Sequence, residues 1–369
     1  MIKIKYENVV KQFPGSDHLA VDNLNMEVHE GEICILVGPS GCGKTTSMKM
    51  TNRIFEHTSG HIYIDGIDNR DINPIQLRLG IGYVIQEIGL FPHMSIADNV
   101  ATVLVEKKWP KNKIRQRVDE MLNLVGLDPK IYSHRRPSGL SGGQRQRVGV
   151  ARALASDPPV MLMDEPFGAV DPITRARLQN EFLRLQEQMK KTIIFVTHDI
   201  DEAIKMGDRI AVMRHGQLVQ YATPDDLLSM PANEFVSSLV GGNRSIKRLN
   251  LIRVEDIERY SPPAVAEGDS KIKVAEAVED SKLGVALVVD DQGKLIGTVT
   301  STDLKRNGDY VKDIYSEAHD LVGLESTLRD TLSIMLGYGE GYALAVDQDG
   351  KPRGAVSVDD IFSAVKDNE

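Results

Sequence analysis

Cysteine and tryptophan are scarce in this sequence of 369 residues, which contains two cysteines and one tryptophan. Cys34 and Cys42 are eight positions apart, a spacing that matches neither a disulfide framework nor a zinc site. We therefore expect both to be reduced structural thiols. The sequence also lacks an apolar run of about 18 residues and a charged-then-apolar N-terminus. We accordingly expect no membrane span and no secretory signal.

Basic residues are not in excess either. The chain has 44 Lys and Arg against 53 Asp and Glu, a net charge of −9. This balance argues against a general nucleic-acid binder, because such proteins neutralise phosphates with basic side chains. The length is sufficient for two or three domains that each bury a core.

A glycine-rich stretch follows the short apolar run of residues 33–37. It reads Gly38, Pro39, Ser40, Gly41, Cys42, Gly43, Lys44, Thr45 and Thr46. A strand, a glycine turn and a helix together form a P-loop, whose backbone N–H groups hold a polyphosphate at the helix N-terminus. We expect Lys44 to reach the β- and γ-phosphates of a nucleotide and Thr45 to give a hydroxyl to Mg²⁺.

The segments before and after this loop add two further features. Residues 2–6 alternate apolar and polar side chains, which predicts an edge strand, and Phe13 follows in a turn. The Phe13 ring either stacks on a nucleotide base or packs into the core. Helical periodicity extends from about 95 to 159 and contains Leu140, Ser141, Gly142, Gly143 and Gln144. This motif predicts a second helix N-terminus that can bind an anion.

Charged and polar residues follow two predicted buried strands. Asp164 and Glu165 come after residues 160–163, where they can hold Mg²⁺ through water and polarise an attacking water. Capping of a helix is the structural alternative for this pair. His198 follows residues 192–197, and is a candidate phosphate sensor or an ordinary surface histidine.

These motifs resemble, in order and rough spacing, those of the nucleotide-binding domain of ABC transporters. The resemblance covers residues 1–241 and includes Gln86 and the run Gly168, Ala169, Val170 and Asp171. It implies an α/β fold of the ABC P-loop type, with a mixed sheet core and a helical subdomain at about 90–157. It also implies a head-to-tail homodimer, in which ATP lies between the P-loop of one copy and Ser141 of the other.

The same resemblance implies roles for individual residues. Phe13 would stack on adenine, Gln86 would contact Mg²⁺ and water, Glu165 would be the catalytic base, His198 would contact the γ-phosphate, and Asp171 would cross the dimer interface. A short helix of a membrane subunit would dock near residues 87–94, although these residues otherwise pack the helical subdomain onto the sheet.

The last third of the chain contains an internal repeat. A basic linker at 242–251, either solvated or in contact with anionic lipid, precedes it. The repeated strand, glycine turn and strand recur 57 residues apart. The two copies resemble a tandem CBS pair, at 252–309 and 310–369, which adds a second α/β module to the fold.

Candidate ligand residues occur at matching positions of both copies. Thr300 with Asp303, and Ser357 with Asp360, match the ribose-contacting pattern of adenosine-binding CBS sites. Both pairs are equally suited to cap helices. Tyr342 either stacks on an adenine or packs into the core.

An ABC domain followed by tandem CBS domains resembles the ATPase subunits of bacterial osmoprotectant importers. The resemblance implies Mg²⁺-dependent ATP hydrolysis that drives uptake of glycine betaine, carnitine or choline, and a regulatory CBS pair that binds cyclic di-AMP or another adenine nucleotide. The implied partners are a transmembrane permease subunit and, indirectly, an extracytoplasmic substrate-binding protein, but no nucleic acid. The implied location is peripheral, on the cytoplasmic face of the cell membrane. The alternatives are an importer of another small solute, a soluble ABC ATPase, and a nucleotide-binding regulator without turnover.

Overall fold

The structure, a computed structural model, describes residues 1–85, 89–168 and 170–366. The chain divides into two compact units, Met1–Gly242 and Asn243–Glu369. Each unit has its own apolar core.

An antiparallel sheet begins the first unit. Its strands are β1 (Ile2–Gln12), β2 (Leu19–His29), β4 (Ser59–Ile64) and β5 (Ile67–Asp68), in the order β2-β1-β4-β5. The alternation in β1 buries Ile4 and Tyr6 as predicted. The prediction that this segment is an edge strand is wrong, because β1 pairs with β2 on one side and β4 on the other. Alternation reports one buried face and carries no information about strand neighbours.

A six-stranded sheet forms the centre of the first unit. Its strands are β3 (Ile33–Val37), β6 (Ile81–Val84), β7 (Val160–Asp164), β8 (Thr192–Val196), β9 (Arg209–Arg214) and β10 (Gln217–Ala222). The order is β10-β9-β3-β8-β7-β6, and every pair except β10 with β9 is parallel. All residues of β3, β7 and β8 are buried, because both faces of the central sheet are covered. On one face, Cys34 and Leu36 share a core with Met26 of the antiparallel sheet.

Helices complete the first unit. They are α1 (Lys44–Thr51), α2 (Pro74–Leu79), α3 (Ile96–Glu106), α4 (Lys111–Leu124), α5 (Pro129–Tyr132), α6 (Gly142–Leu154), α7 (Pro172–Met189), α8 (Ile200–Met206), α9 (Pro224–Ser229) and α10 (Glu234–Val240). Helices α3, α4 and α6 pack against one another. Their apolar faces bury Val100, Leu104 and Leu122, as the helical periodicity predicts.

The second unit contains the predicted repeat. Its strands are β11 (Ala264–Ala266), β12 (Val285–Val289), β13 (Leu295–Thr300), β14 (Leu321–Gly323), β15 (Tyr342–Val346) and β16 (Pro352–Ser357), and its helices are α11 (Arg244–Arg248), α12 (Lys271–Asp280), α13 (Leu328–Tyr338) and α14 (Val358–Val365). Strands β11 to β13 and β14 to β16 form two sheets of identical topology. The copies differ at their ends, because β16 leads into α14 whereas β13 leads only into a 3₁₀ turn, Asp303–Lys305.

Residues near the start of the second unit form a helix and are partly buried, unlike a solvated linker. Residues 244–248 form α11, and Arg248 is buried and donates to the carbonyl of Val365 at 3.1 Å. Leu249 belongs to the same core cluster as Ile361. The prediction of a solvated linker is therefore wrong for Arg248, because its guanidinium holds the C-terminal end of α14.

Candidate functional site

Three loops meet at one edge of the central sheet. Strands β3, β8 and β7 are adjacent and parallel, so the residues after their carboxyl ends lie side by side. These residues are the glycine-rich loop after β3, Glu165 after β7, and His198 after β8. Ligands of open α/β sheets bind at such an edge.

The glycine-rich loop requires glycine at two positions. Gly38 and Gly43 have φ angles of 149° and 104°. A Cβ atom at Gly38 would lie 2.2 Å from the carbonyl oxygen of Met213, and one at Gly43 would lie 2.4 Å from that of Ala20. The loop therefore fits against β9 and β2 only without side chains at these positions.

Lys44 is positioned inside this loop. It is 6% exposed, and its Nζ donates to the carbonyl oxygens of Gly38 at 2.7 Å and Pro39 at 3.0 Å. Helix α1 begins at Lys44 without a side-chain cap, so its first N–H groups need acceptors from elsewhere. An ammonium group and uncapped N–H groups at one place suit a polyphosphate.

Oxygen atoms suited to a divalent cation lie next to this loop. The Thr45 hydroxyl donates to Asp164 Oδ1 at 2.9 Å, and Asp164 is 3% exposed. A hydroxyl and a carboxylate are ligands that Mg²⁺ accepts directly or through water, so this pair fits the predicted metal. Lys49 Nζ lies 3.7 Å from Asp164 Oδ2. Lys49 was not predicted as a site residue, although its position four residues after Thr45 indicates the same face of α1.

Glu165 and His198 face each other across the same edge. The Nδ1 atom of His198 is 3.3 Å from Oε1 of Glu165. Glu165 has a φ of 44°, a left-handed conformation, and its N–H donates to the carbonyl of Val196 at 2.9 Å. This link to β8 holds the backbone in a conformation that glutamate rarely adopts. Two predicted residues that are 33 positions apart are thus brought into contact.

Gln86 lies outside the described residues, so its contact with Mg²⁺ and water stays a prediction.

Part of the predicted docking segment, residues 89–94, is described. Phe91 is 41% exposed, with its ring 6.1 Å from that of His93, while its backbone is held by the Asn99 side chain at 2.7 Å. An exposed ring on a fixed backbone is compatible with docking, while the carbonyl of Gly89 accepts from Arg152 of α6 at 2.6 Å, so both alternatives for this segment stay predictions.

The second predicted anion site is at the N-terminus of α6. Ser141 caps this helix, accepting from the Gln144 N–H at 3.3 Å, and the Ser141 N–H donates to Gln144 Oε1 at 3.0 Å. Leu140 is buried, whereas Ser141 is exposed. The capping box thereby fixes an exposed turn, with the two glycines following Ser141 at the helix start.

Asp171 caps α7 and accepts from the Thr174 N–H at 3.0 Å, and this contact holds the pKa of its carboxyl below the ordinary value. Arg175 lies one turn further along α7. Its guanidinium donates to the carbonyl of Val170 at 3.1 Å and lies 3.7 Å from the carboxylate of Asp199, the residue after His198. This link was not predicted. The sequence signal for it is an arginine near the N-terminus of a helix, where the helix dipole disfavours a positive charge unless the side chain has a partner.

The Phe13 ring packs on a neighbouring aromatic ring and also keeps part of its surface exposed, where a nucleotide base could stack. Its ring is half-buried and meets Phe55 edge-on, with centroids 5.3 Å apart. Lys11 Nζ lies 4.9 Å from the Phe13 centroid. The packing on Phe55 orients the ring, so the two alternatives for Phe13 are compatible with each other.

The two candidate CBS pairs differ in the structure. Asp303 is 4% exposed and accepts from the Thr300 hydroxyl at 2.7 Å and the Ser316 hydroxyl at 2.8 Å, with Arg306 3.2 Å away. Although burial alone raises the pKa of Asp303, these contacts hold it below the ordinary value. The first pair is therefore fully engaged within the protein.

The second pair is a capping box at the start of α14. The Ser357 hydroxyl donates to Asp360 at 2.7 Å, and Asp360 is half-buried. Tyr342 pairs with Ser357 across β15 and β16. Asp320, which precedes β14 and was not predicted, is 8% exposed, and its Oδ2 has no hydrogen-bond partner among the described residues. Burial raises the pKa of this carboxyl. Of the two candidate pairs, only the second therefore forms a helix-capping box among the described residues, and ligand binding stays a prediction for both copies.

Among the described residues, no helix has the length and apolarity needed to cross a bilayer. Comparison with protein families places an ABC transporter match at residues 21–168 and CBS domain matches at residues 254–309 and 311–367.

Several characterised proteins are similar over nearly the whole chain. An osmoprotectant import ATP-binding protein of Salmonella typhimurium is 46% identical over 97% of this chain and 95% of its own length. A glycine betaine/carnitine/choline transport ATP-binding protein of Bacillus subtilis is 43% identical over 99% of this chain and 97% of its own. The dimeric structure of MJ0796, a bacterial ABC transporter cassette, aligns with a TM-score of 0.55 and 34% identity, and covers 60% of this chain and 98% of that one.

Proposed function

Since this chain belongs to the ABC transporter ATP-binding proteins that carry tandem CBS domains, we propose that it energises the import of quaternary-amine osmoprotectants. The relatives that match over nearly the full length are named for osmoprotectant, glycine betaine, carnitine and choline transport. The alignments with these relatives include both units. The proposal is therefore supported by the shared combination of an ATPase unit with a CBS pair.

The observation that carries the ATPase assignment is the convergence of four groups at one sheet edge. Lys44 and the N-terminus of α1 bind and orient the triphosphate, and Thr45 with Asp164 holds Mg²⁺. When bound, Mg²⁺ neutralises charge on the phosphate oxygens. Glu165 accepts a proton from the attacking water, and His198 donates from its ring to the γ-phosphate once ATP separates it from Glu165.

We further propose that two copies close head to tail around ATP. The P-loop of one copy supplies cationic and N–H groups on one side of the triphosphate, and Ser141 with the N-terminus of α6 supplies N–H groups on the other. A related bacterial cassette is itself dimeric, which supports this arrangement. ATP would close the dimer and hydrolysis would open it. The permease subunit would receive this motion through the exposed surface near Phe91, at the cytoplasmic face of the membrane.

We propose that the CBS pair regulates this cycle by binding cyclic di-AMP or another adenine nucleotide, or by responding to ionic strength. The second copy is the better candidate, because Asp360 is half-buried while Asp303 is occupied by Ser316 and Arg306. Titration of the full chain with cyclic di-AMP should give saturable heat that Asp360→Asn weakens. Absence of both heat and a shift in melting temperature for the wild-type chain would exclude this ligand at physiological concentration.

Substitution Glu165→Gln tests the ATPase assignment. Loss of the base should reduce phosphate release by about 10²- to 10⁴-fold while ATP binding persists, because general-base catalysis contributes in that range. Glu187→Gln, at an exposed position of α7, is the matched control and should release phosphate at the wild-type rate. Equal release from the two variants would contradict the role of Glu165.

The solute is tested separately. The chain is copurified with its permease and substrate-binding partners, reconstituted into vesicles and supplied with ATP and labelled choline, carnitine or glycine betaine. ATP-dependent uptake of any of the three supports the proposal. Hydrolysis without uptake of the three would favour the importer of another small solute.

A further inference from the structure

A cavity in the first unit is not used by any role described above. It lies between α6, α7 and the end of α4, and its volume is about 280 Å³. Val150, Phe167, Leu178 and Phe182 form much of its wall, which is largely apolar. Small-molecule sites have this character, with apolar walls and a few polar groups.

One of the polar groups in this wall is unpartnered. Gln146 is 4% exposed and lines the cavity, yet within residues 1–85, 89–168 and 170–366 its side-chain amide has no hydrogen-bond partner. Neither amide atom is sealed from solvent, so the amide faces the cavity. Buried amides are nearly always hydrogen-bonded, and a ligand in the cavity would satisfy this one.

The charges around the cavity favour an anion. Arg147 is paired with Glu181 at 2.9 Å and also donates to the carbonyl of Val125 at 3.3 Å. Arg184 lies at the rim, is exposed, and in the described part of the chain has no carboxylate within ion-pair distance. The lining therefore carries one uncompensated positive charge.

We propose that this cavity binds a small monocarboxylate with an apolar body, such as an eight-carbon fatty acid. The cavity volume of about 280 Å³ is close to the lower end of the range typical of small-molecule sites, about 300 to 1,000 Å³, so it suits a short hydrocarbon chain. The carboxylate is held by the Gln146 amide and the Arg184 guanidinium. The hydrocarbon lies against Phe167 and Phe182.

Binding here reaches the ATP site through two helices. Helix α6 begins directly after Ser141, and α7 begins directly after Asp171. The helices are close at this end, because a Cβ atom at Gly143 would lie 3.2 Å from Thr174 Cγ2. Phe167 is two residues after Glu165. A ligand between the helices fixes their separation, so occupancy is expected to change the rate of ATP hydrolysis.

Isothermal titration of the full wild-type chain with sodium octanoate, without nucleotide, tests the site independently of catalysis. Saturable binding is expected, with weaker binding of octanol and none of octylammonium. Arg184→Gln should weaken octanoate binding about five-fold, as expected for loss of one partly exposed ion pair. Arg177→Gln, at an exposed position of the same helix outside the cavity lining, removes the same charge and only a 4.0 Å contact to Glu181, so it should leave octanoate binding unchanged.

A second variant keeps the test decisive. Leu185→Trp, at the half-buried rim of the cavity, should abolish binding by filling the cavity. No saturable binding to the wild-type chain would overturn the proposal. Unchanged octanoate binding by Leu185→Trp, or equal binding of octylammonium and octanoate by the wild type, would do so as well.

Discussion

Replacing glycines of the P-loop by alanine gives a matched test of how the loop is packed. At Gly38 the new Cβ would lie 2.2 Å from the carbonyl oxygen of Met213, which belongs to β9 and cannot move without disturbing the central sheet. At Gly41 the new Cβ would meet no atom of the described residues within 4 Å. Both positions have positive φ angles, 149° and 79°, so each substitution strains the backbone, but only Gly38→Ala adds a clash.

The difference can be given a magnitude. Gly41→Ala should lower the free energy of unfolding of the first unit by about 1 to 2 kcal/mol, the cost of a left-handed conformation. For Gly38→Ala we expect about 2 to 6 kcal/mol, the sum of about 1 to 3 for backbone strain and about 1 to 3 for the overpacked contact. The larger figure is a substantial fraction of the stability of an ordinary domain, about 5 to 15 kcal/mol.

Urea unfolding followed by tryptophan fluorescence measures this difference. Trp109 is the only tryptophan of the sequence and lies in the first unit, so its signal reports that unit. Gly38→Ala should unfold at the lower urea concentration of the two variants. Equal midpoints, or a lower midpoint for Gly41→Ala, would refute the packing argument.

Two further predictions concern groups that the sequence did not identify. Arg175→Leu should lower kcat for ATP hydrolysis about ten-fold or more with little change in ATP affinity, because it disconnects Val170 from Asp199 beside His198; equal loss in the exposed Arg177→Leu would contradict this. Asp320→Asn should slow hydrogen exchange of β14 to β16 at neutral pH and have little effect near pH 3. Burial raises the folded-state pKa of Asp320, so its stabilising contribution is complete below the unfolded-state pKa and is lost as the pH rises through the folded-state value. If Asp320→Asn slowed hydrogen exchange most at acid pH, the prediction would be contradicted.

The elements that could be predicted from the sequence are those with a local signature. Continuous apolar runs predicted the buried strands β3, β7 and β8, and helical periodicity predicted α3, α4 and α6. The repeat of 57 residues predicted the two sheets of the second unit. The placement of Thr45 beside Asp164 followed from one further rule, that parallel strands present their carboxyl ends at a common edge.

What the sequence could not provide depends on neighbours that are distant along the chain. The central position of β1 follows from its pairing with β4, in which Val10 pairs with Ser59 and Ile4 pairs with Ile64. The burial of Arg248 requires the carbonyl of Val365, which only the folded unit brings near. The unequal surroundings of Asp303 and Asp360 depend on Ser316, which lies outside the repeated motif.

The central claim is that each ATP site is built from two copies, with Lys44 from one and Ser141 from the other. Lys44→Ala and Ser141→Arg, each combined with Glu165→Gln to prevent turnover, should separately fail to retain Mg-ATP on gel filtration. Mixing the two variants should restore retention, because half of the dimers then contain one intact site and the total reaches about a quarter of that of the Glu165→Gln parent. Mixing that parent with a chain carrying both substitutions should give mixed dimers that retain none. If the two single variants do not complement each other, or if one of them alone retains ATP as the parent does, the shared site is contradicted.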